Sequence, residues 1–371
     1  MTSRERLLAA ISLKKPDRVP ISTYELSGYN SLSFWNREPS YRNLMDMIRE
    51  KTDCVCMWGQ GSNWGAANSA YPSQIEVHEI RGADYTEKHL VLHTPKGELT
   101  ATHRIYDRVF TVWATERWCK TTGDIDKYLS IPFEPVAFDS SDYARIKGEV
   151  GERGIIMSCA ADPACLAMEL MEFGAAMVWA ATETAHFAKT VEELHRRNMV
   201  NLENMLKSCV VDLYRIYGPE YLTPPYLPPS HFARFVTPYL REMTELIHRY
   251  NGRVRIHSHG KIGKVLDEML SCGADALDPC EAPPDGDISL RELKRRTAGK
   301  MCLFGNIQLK ALEHAGAGEI REIVRLCMDE AKEGGGYVIM PTTSPINIPL
   351  SPKTEENYRV FIETALEYGV Y

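Results

Sequence analysis

The sequence predicts an α/β fold, a single (β/α)8 TIM barrel over residues 1–371 with a small antiparallel β insertion after strand 2. Short apolar runs alternate with amphipathic stretches along the chain, which is typical of parallel strands joined by helices. About eight such units in a chain of this length favour a closed barrel. No GxGxxG motif follows the first run, which disfavours a dinucleotide-binding sheet. An open doubly wound sheet is the alternative.

The predicted strands share a short length and an apolar composition; in chain order they are Val19–Ile21, Cys54–Met57, Ile155–Met157, Val210–Ile216, Val254–His257, Ala276–Asp278, Met301–Phe304 and Tyr337–Met340. The predicted helices have apolar residues at helical spacing. The first helix begins at the capping box Thr2–Glu5. The others are Tyr41–Lys51, Pro163–Phe173, Val191–Ser208, Ser230–Tyr250, Ile262–Ser271, Ser289–Arg296, Glu319–Glu333 and Thr354–Tyr368.

The insertion is predicted from a hairpin pattern. Leu90–Thr94 and Glu98–Thr102 flank the turn residues Pro95–Gly97, and Val109–Thr115 is expected to add a third strand. These segments predict an antiparallel insertion over about residues 76–119.

Composition excludes several classes of partner. The formal net charge is −7, and neither nucleic acid nor an anionic membrane is expected to attract such a surface. No secretory signal and no apolar run of membrane-spanning length are visible. The ten cysteines include no CxxC pair, so reduced thiols in a cytoplasmic protein are expected.

The strongest chemical signal is His257-Ser258-His259 at the end of the fifth predicted strand. Residues i and i+2 of a strand point to the same side, so both imidazoles can face one point. Two neutral imidazoles suit zinc or another divalent metal, and a catalytic zinc takes three protein ligands. Glu281, after the neighbouring strand, is the predicted third ligand. The alternatives are two ordinary histidines, and a Glu281 that caps a helix or orients substrate.

Other polar and aromatic side chains follow the strands at the same predicted edge, where such barrels place their active sites. Glu25 and Asp162 are the predicted catalytic proton donors or orienting groups. The predicted substrate-binding residues are the aromatic and amide side chains of Tyr24, Trp58, Trp64, Tyr226 and Asn306.

Several segments resemble the uroporphyrinogen decarboxylase superfamily, and they are distributed over nearly the whole chain: Arg4–Ala10, Pro16–Pro20, His257–Gly260, Gly273–Leu277, Leu303–Ile307 and Glu355–Tyr358. This resemblance implies the same barrel. True decarboxylases of this superfamily carry an Arg-Gln-Ala-Gly-Arg segment after the first strand. This chain has Ile21-Ser22-Thr23-Tyr24-Glu25 there, so uroporphyrinogen itself is not expected as substrate.

The chain looks closer to the corrinoid-dependent methyltransferases of the superfamily. Their zinc site uses His-x-Cys after strand 5 and a cysteine after strand 8. Here the pair is His257 and His259, and Pro341–Pro345 contains no cysteine. Imidazole and carboxylate ligands make a harder site than thiolates, which favours a substrate bound through oxygen.

The predicted function is therefore zinc-dependent methyl transfer between a small methylated substrate, such as a methyl aryl ether, and a corrinoid. The corrinoid is expected on a separate carrier protein, because this chain lacks an Asp-x-His-x-x-Gly motif. The alternative is a metal-free lyase that decarboxylates a small carboxylic acid, and a homodimer is left open.

Overall fold

The computed structural model describes all 371 residues, and its centre is a curled sheet of seven parallel strands. These strands lie side by side in their order along the chain. The fold is therefore α/β and TIM-barrel-like. The thirteen strands of the chain are β1 (Cys54–Met57), β2 (Gly61–Ser62), β3 (Ile75–Arg81), β4 (Tyr85–Thr94), β5 (Gly97–Tyr106), β6 (Trp113–Glu116), β7 (Phe138–Asp139), β8 (Gly154–Ala161), β9 (Leu213–Tyr217), β10 (Val254–His257), β11 (Ala276–Asp278), β12 (Cys302–Ile307) and β13 (Tyr337–Pro341).

Helices cover the outer face of this sheet. In chain order they are α1 (Ser3–Ile11), α2 (Phe34–Arg37), α3 (Arg42–Lys51), α4 (Thr122–Tyr128), α5 (Tyr143–Val150), α6 (Pro163–Met168), α7 (Phe173–Thr182), α8 (Thr184–Ser208), α9 (Pro229–Phe235), α10 (Thr237–Arg249), α11 (Leu266–Ser271), α12 (Leu290–Thr297), α13 (Leu309–His314), α14 (Ala317–Ala331) and α15 (Pro352–Tyr368), with short 3-10 helices at Pro39–Tyr41, Ala66–Asn68, Gly151–Arg153 and Pro219–Leu222. None of them combines the length and the apolar character that a bilayer crossing requires.

The first predicted strand, Val19–Ile21, is not formed. Only Ile21 makes an isolated parallel bridge, to Ile339 of β13. Pro20 lacks the N–H that a central strand position would donate. The segment still forms backbone hydrogen bonds with both edges of the sheet. The Ser22 N–H donates to the Ile339 carbonyl of β13, and the N–H of Asp53, just before β1, donates to the Ile21 carbonyl.

The antiparallel insertion is confirmed, with one strand more than predicted. β3, β4, β5 and β6 form a four-stranded antiparallel sheet, and the tight turn between β4 and β5 lies where Pro95–Gly97 predicted it. β3 was not predicted as a strand. All its residues are exposed, so it has no buried face to produce a clear apolar alternation.

Two predicted helices are divided. Ser230–Tyr250 is α9 followed by α10, because Pro238 in the first turn of α10 cannot continue the preceding helix. Pro163–Phe173 ends at Met168, and a new helix begins after Glu172, whose side chain caps it. The capping box of α1 is formed as predicted.

The interior of the curled sheet is a packed core at one end and polar at the other. Inward-facing side chains of the strands form an apolar cluster with Leu7, Ala10 and Ile11 of α1, which covers the amino ends of the strands. Beyond this cluster, toward the carboxyl ends, the inward-facing positions include Arg215, Arg255 and His257. The polar side chains near the carboxyl ends of β9, β10 and β11 place the candidate site at that end of the sheet.

Candidate active site

His257 ends β10 on the inner side of the curled sheet, at the mouth formed by the carboxyl ends of its strands, and is buried. Its Nδ1 lies 2.8 Å from Oδ2 of Asp278, on the neighbouring β11. Burial lowers the pKa of His257 to about 4, although Asp278 acts in the opposite direction. A neutral ring donates Nδ1–H to the carboxylate, so the lone pair of Nε2 is directed into the mouth.

Asp278 is the group that fixes this imidazole. Burial would raise the pKa of Asp278, but the charges of Arg255 and His257 outweigh burial and lower it to about 2. Arg255 Nε lies 2.9 Å from the other oxygen of this carboxylate. Asp278 is therefore ionised and held on both sides, which fixes the orientation of His257.

His259 lies beside His257, with ring centroids 4.7 Å apart and planes nearly perpendicular at 89°. Its Nδ1 is 3.2 Å from Oε1 of Glu281. Burial lowers the pKa of His259, but the contact with Glu281 outweighs burial and the net shift is upward. The second oxygen of Glu281 accepts the Gly260 N–H at 2.6 Å.

The ligand chemistry of the two histidines fits zinc. Each imidazole places Nδ1 on a carboxylate, as metal-bound histidines commonly do, and Nε2 of His257 lies within hydrogen-bond distance of the Tyr24 hydroxyl at 3.4 Å. No group of three or more His, Cys, Asp or Glu side chains is arranged to hold a metal ion. Both Glu281 oxygens are engaged, on His259 and Gly260, so the structure places this carboxylate as an orienting partner of His259. Its role as third ligand stays a prediction.

Tyr24 and Glu25 lie at the same mouth, near His257. The Tyr24 hydroxyl is 3.4 Å from Nε2 of His257 and accepts a hydrogen bond of 2.9 Å from Nη1 of Arg215. The same Nη1 donates to Glu25 Oε1 at 3.2 Å. The structure therefore brings two predicted residues together with His257 and adds an arginine.

Asp162 is fully buried where β8 leads into α6. Its Oδ1 accepts the backbone N–H groups of Ala164 and Cys165, so it caps α6, while Oδ2 has no partner. Burial raises the pKa of Asp162 to about 7, and it does the same for Glu220, in the loop after β9. Both carboxyls can therefore hold a proton near neutral pH.

A cavity of about 490 Å³ opens beside the ends of β1, β8 and β9. Trp58 and Trp64 line it, together with Cys159, Ala161 and Tyr217. Trp58 is buried and donates from Nε1 to Asp142, whereas Trp64 is exposed. This volume suits a small organic ligand, and the walls are mainly apolar.

Three predicted substrate-binding residues do not line this cavity: Tyr24, which lies beside His257, and Tyr226 and Asn306. Tyr226 is exposed in the loop after β9 and packs edge-on against Phe173, with centroids 5.0 Å apart. Asn306 donates to the Cys280 carbonyl and accepts from the Cys327 thiol of α14. Its amide is thus used within the protein and faces the helix layer, which corrects its expected place in the mouth.

Sequence reasoning missed Arg215. Alternation along Leu213-Tyr214-Arg215-Ile216-Tyr217 would have placed it inward, but an arginine inside a buried strand was not read as a site residue. The role of Asp278 was also missed, since its pairing with His257 depends on the register between β10 and β11.

Comparisons with known proteins agree with this fold. The family model described as "Uroporphyrinogen decarboxylase (URO-D)" matches residues 129–368. A methyltransferase from Methanosarcina mazei superimposes with a TM-score of 0.62 at 16% identity, covering 99% of each chain. A D-psicose 3-epimerase from Clostridium cellulolyticum H10 reaches only 0.35 at 11% identity, over 61% of this chain and 81% of the epimerase. No curated protein sequence matches the chain.

The structural likeness at 16% identity supports the fold alone. The family match is stronger, because it covers more than half of the chain and includes β8–β13 with both histidines. The chain belongs to the uroporphyrinogen decarboxylase family.

Proposed function

We propose that the protein is a zinc-dependent methyltransferase that moves a methyl group between a small methylated substrate, such as a methyl aryl ether, and the corrinoid of a partner protein. The observation that carries this proposal is the pair of adjacent imidazoles, each held by a carboxylate through Nδ1, so that Nε2 is the nitrogen of each ring available to a metal. At His257 the Tyr24 hydroxyl, 3.4 Å from Nε2, would give way to the metal. The likeness to a protein described as a methyltransferase is consistent with it.

In this proposal His257 and His259 hold the metal, and Asp278 and Glu281 keep their rings in place. When bound, zinc supplies Lewis-acid chemistry toward the substrate oxygen, and the partner's corrinoid supplies the methyl-exchanging centre. Glu281 is the candidate for a third ligand if its contact with His259 is exchanged.

The remaining residues act on the substrate. Trp58 and Trp64 offer aromatic walls against which a ring can pack. Tyr24 presents its hydroxyl toward His257 and can orient a substrate oxygen by a hydrogen bond. Asp162 and Glu25 are the proposed proton-handling groups, and the raised pKa of Asp162 allows it to carry a proton at neutral pH.

Elemental analysis of the purified protein tests the metal. We expect about one zinc per chain after zinc is supplied and the excess removed, and none in the double variant His257→Ala/His259→Ala. His314→Ala, on an exposed histidine, is the control and should keep the metal. Equal zinc in the double variant and the wild type, or no zinc in the wild type, would contradict the proposal.

A metal-free lyase acting on a small carboxylic acid is the second candidate. It is favoured by two arginines inside the barrel, Arg215 and Arg255, which could attract a carboxylate. Turnover that survives complete removal of metal would support the lyase against the methyltransferase.

A further inference from the structure

Arg215 is a buried cation at the inner face of the barrel mouth. It lies on β9 between Cys159 of β8 and Arg255 of β10 in the strand register. Its side chain is only 11% exposed. A guanidinium so far removed from water needs partners for its five N–H donors.

Oxygen acceptors contact only one nitrogen of this guanidinium. Nη1 donates to the Tyr24 hydroxyl at 2.9 Å and to Glu25 Oε1 at 3.2 Å. Nε is buried without a hydrogen-bond partner, and the guanidinium also contacts the thiol of Cys159, which is a weak acceptor. The edge formed by Nε and Nη2 is the edge that receives the two oxygens of a carboxylate in parallel hydrogen bonds.

Two other arginines, Arg255 and Arg104, are each paired with a carboxylate. Arg255 is 2% exposed, pairs with Asp278 and lies over the ring of Phe304. Arg104 pairs with Glu87 in the antiparallel insertion. Arg215 therefore differs from Arg255 in its position: its neighbours Cys159 and Tyr217 line the cavity, whereas Arg255 is held against the Asp278 carboxylate.

Two neighbours of Arg215 line the cavity, although Arg215 itself is not among the lining residues. Cys159, the register neighbour of Arg215, and Tyr217, two residues further along β9, both line the cavity of about 490 Å³. On the other side of the guanidinium, the Glu25 side chain is 29% exposed, so the mouth is open to solvent there. A cavity of this size accommodates a single aromatic ring with substituents.

We propose that the Nε–Nη2 edge of Arg215 binds the carboxylate of the substrate, which makes the substrate class a small aromatic acid. This inference rests on the proposed function only in placing the substrate at this mouth. It adds that an anionic substituent, absent from a simple ether, contributes to recognition.

Calorimetric titration with benzoate and with benzamide tests the subsite, because the two probes share shape and differ in charge. We expect the wild type to bind benzoate at least about tenfold more tightly than benzamide. Arg215→Lys keeps the charge but loses the two-pronged edge, and it should lower the benzoate affinity about tenfold without changing that for benzamide. Arg321→Lys, on an exposed arginine, is the control.

A second variant guards against loss of folding in Arg215→Lys. Glu25→Gln removes the carboxylate that competes for the guanidinium, and it should raise benzoate affinity several-fold while benzamide affinity stays constant. A wild type that binds benzoate no better than benzamide would overturn the assignment, as would unchanged benzoate affinity in both variants.

The titrations are repeated on protein freed of metal. Arg215-dependent preference for benzoate in a protein that never takes up zinc would leave the subsite standing and remove the methyltransferase proposal. Zinc bound through His257 and His259, without any preference for benzoate, would support the metal site of the proposed function and overturn the carboxylate subsite.

Discussion

At the scale of single residues, Asp162 caps a helix although its burial disfavours the ionised carboxylate. Its carboxylate caps α6, yet the side chain is fully buried and one oxygen has no partner. Burial raises its pKa from an ordinary 3.8 to about 7. Between these values the folded protein binds a proton that the unfolded chain does not, so the contribution of Asp162 to stability falls as the pH rises through this window.

Asp162→Asn should therefore stabilise the protein at high pH. Asparagine caps a helix as well as aspartate does but carries no charge. We expect the free energy of unfolding of the variant to exceed that of the wild type by roughly 2–4 kcal/mol at pH 8, and the difference to vanish near pH 4. Urea denaturation at both pH values measures it.

Asp124→Asn is the matched control with the opposite sign. The contacts of Asp124 with Lys127 and Thr121 lower its pKa to about 2 against the effect of burial. A carboxylate whose pKa is lowered by folding stabilises the folded state at pH values above its pKa in the unfolded chain. The Asp124→Asn variant should therefore be less stable than the wild type at pH 8. Equal stability of Asp162→Asn and wild type at pH 8 would contradict the burial argument for Asp162.

The sequence predicted the part of the candidate site that depends on local alternation. His257 and His259 are two residues apart, and their rings are neighbours in the structure, as alternation requires. Their partners could not be predicted in the same way. Asp278 and Glu281 contact them across β10 and β11, and the contact of Arg215 with Tyr24 joins residues far apart in the chain.

At the scale of elements, Gly218 controls the turn from β9 into the 3-10 helix that carries Glu220. Its φ of +103° belongs to the left-handed region that favours glycine. A Cβ at this position would also collide with Cβ and Sγ of Cys165 in α6. The close approach of these two elements therefore requires a residue without a side chain.

Gly218→Ala should destabilise the protein by about 1–3 kcal/mol or more, because backbone strain and the collision with Cys165 act together. Gly148→Ala is the matched control, since Gly148 lies in α5 with open space around a new Cβ. It should raise stability by about 0.5–1 kcal/mol through helix propensity. Thermal unfolding of both variants beside the wild type gives the comparison, and a neutral Gly218→Ala would contradict the strain argument.

Helices and strands with a clear sequence pattern of their own could be predicted, whereas others depend on contacts with the rest of the fold. β10 and β11 have the predicted bounds because their apolar runs are interrupted by polar loops. Val19–Ile21 had the composition of a strand, but its pairing with β13 is limited to one bridge beside Pro20. The break between α9 and α10 was visible in Pro238, while the early start of α8 at Thr184 lies in a stretch without a strong apolar period.

At the scale of the whole molecule, Asp53 ties the two ends of the curled sheet to the amino-terminal helix. Its side chain is fully buried and accepts from Arg6 at 2.6 Å, from Arg18 at 2.7 Å and from the Ile21 backbone at 2.9 Å. Its own N–H donates to the Ile21 carbonyl. This carboxylate therefore adds side-chain contacts to the backbone bonds that join Pro20–Ser22 to both edges of the sheet.

Removing this carboxylate should weaken the whole fold. Asp53→Ala leaves two largely buried guanidinium groups without their common partner, and loss of one member of a buried ion pair costs about 3–5 kcal/mol. Asp46→Ala is the control, because Asp46 pairs with Arg49 on the surface with its own side chain 65% exposed. Such exposed pairs contribute about 0–1 kcal/mol.

Urea denaturation of both variants decides whether Asp53 acts on the whole molecule. We expect a lower midpoint for Asp53→Ala with an unchanged dependence on denaturant, which is the sign of a cooperative loss of stability. A change of similar size in Asp46→Ala would show that the effect is one of net charge. An Asp53→Ala protein as stable as the wild type would mean that the bridge at Ile21 and the packing of α1 hold the sheet edges together without the carboxylate.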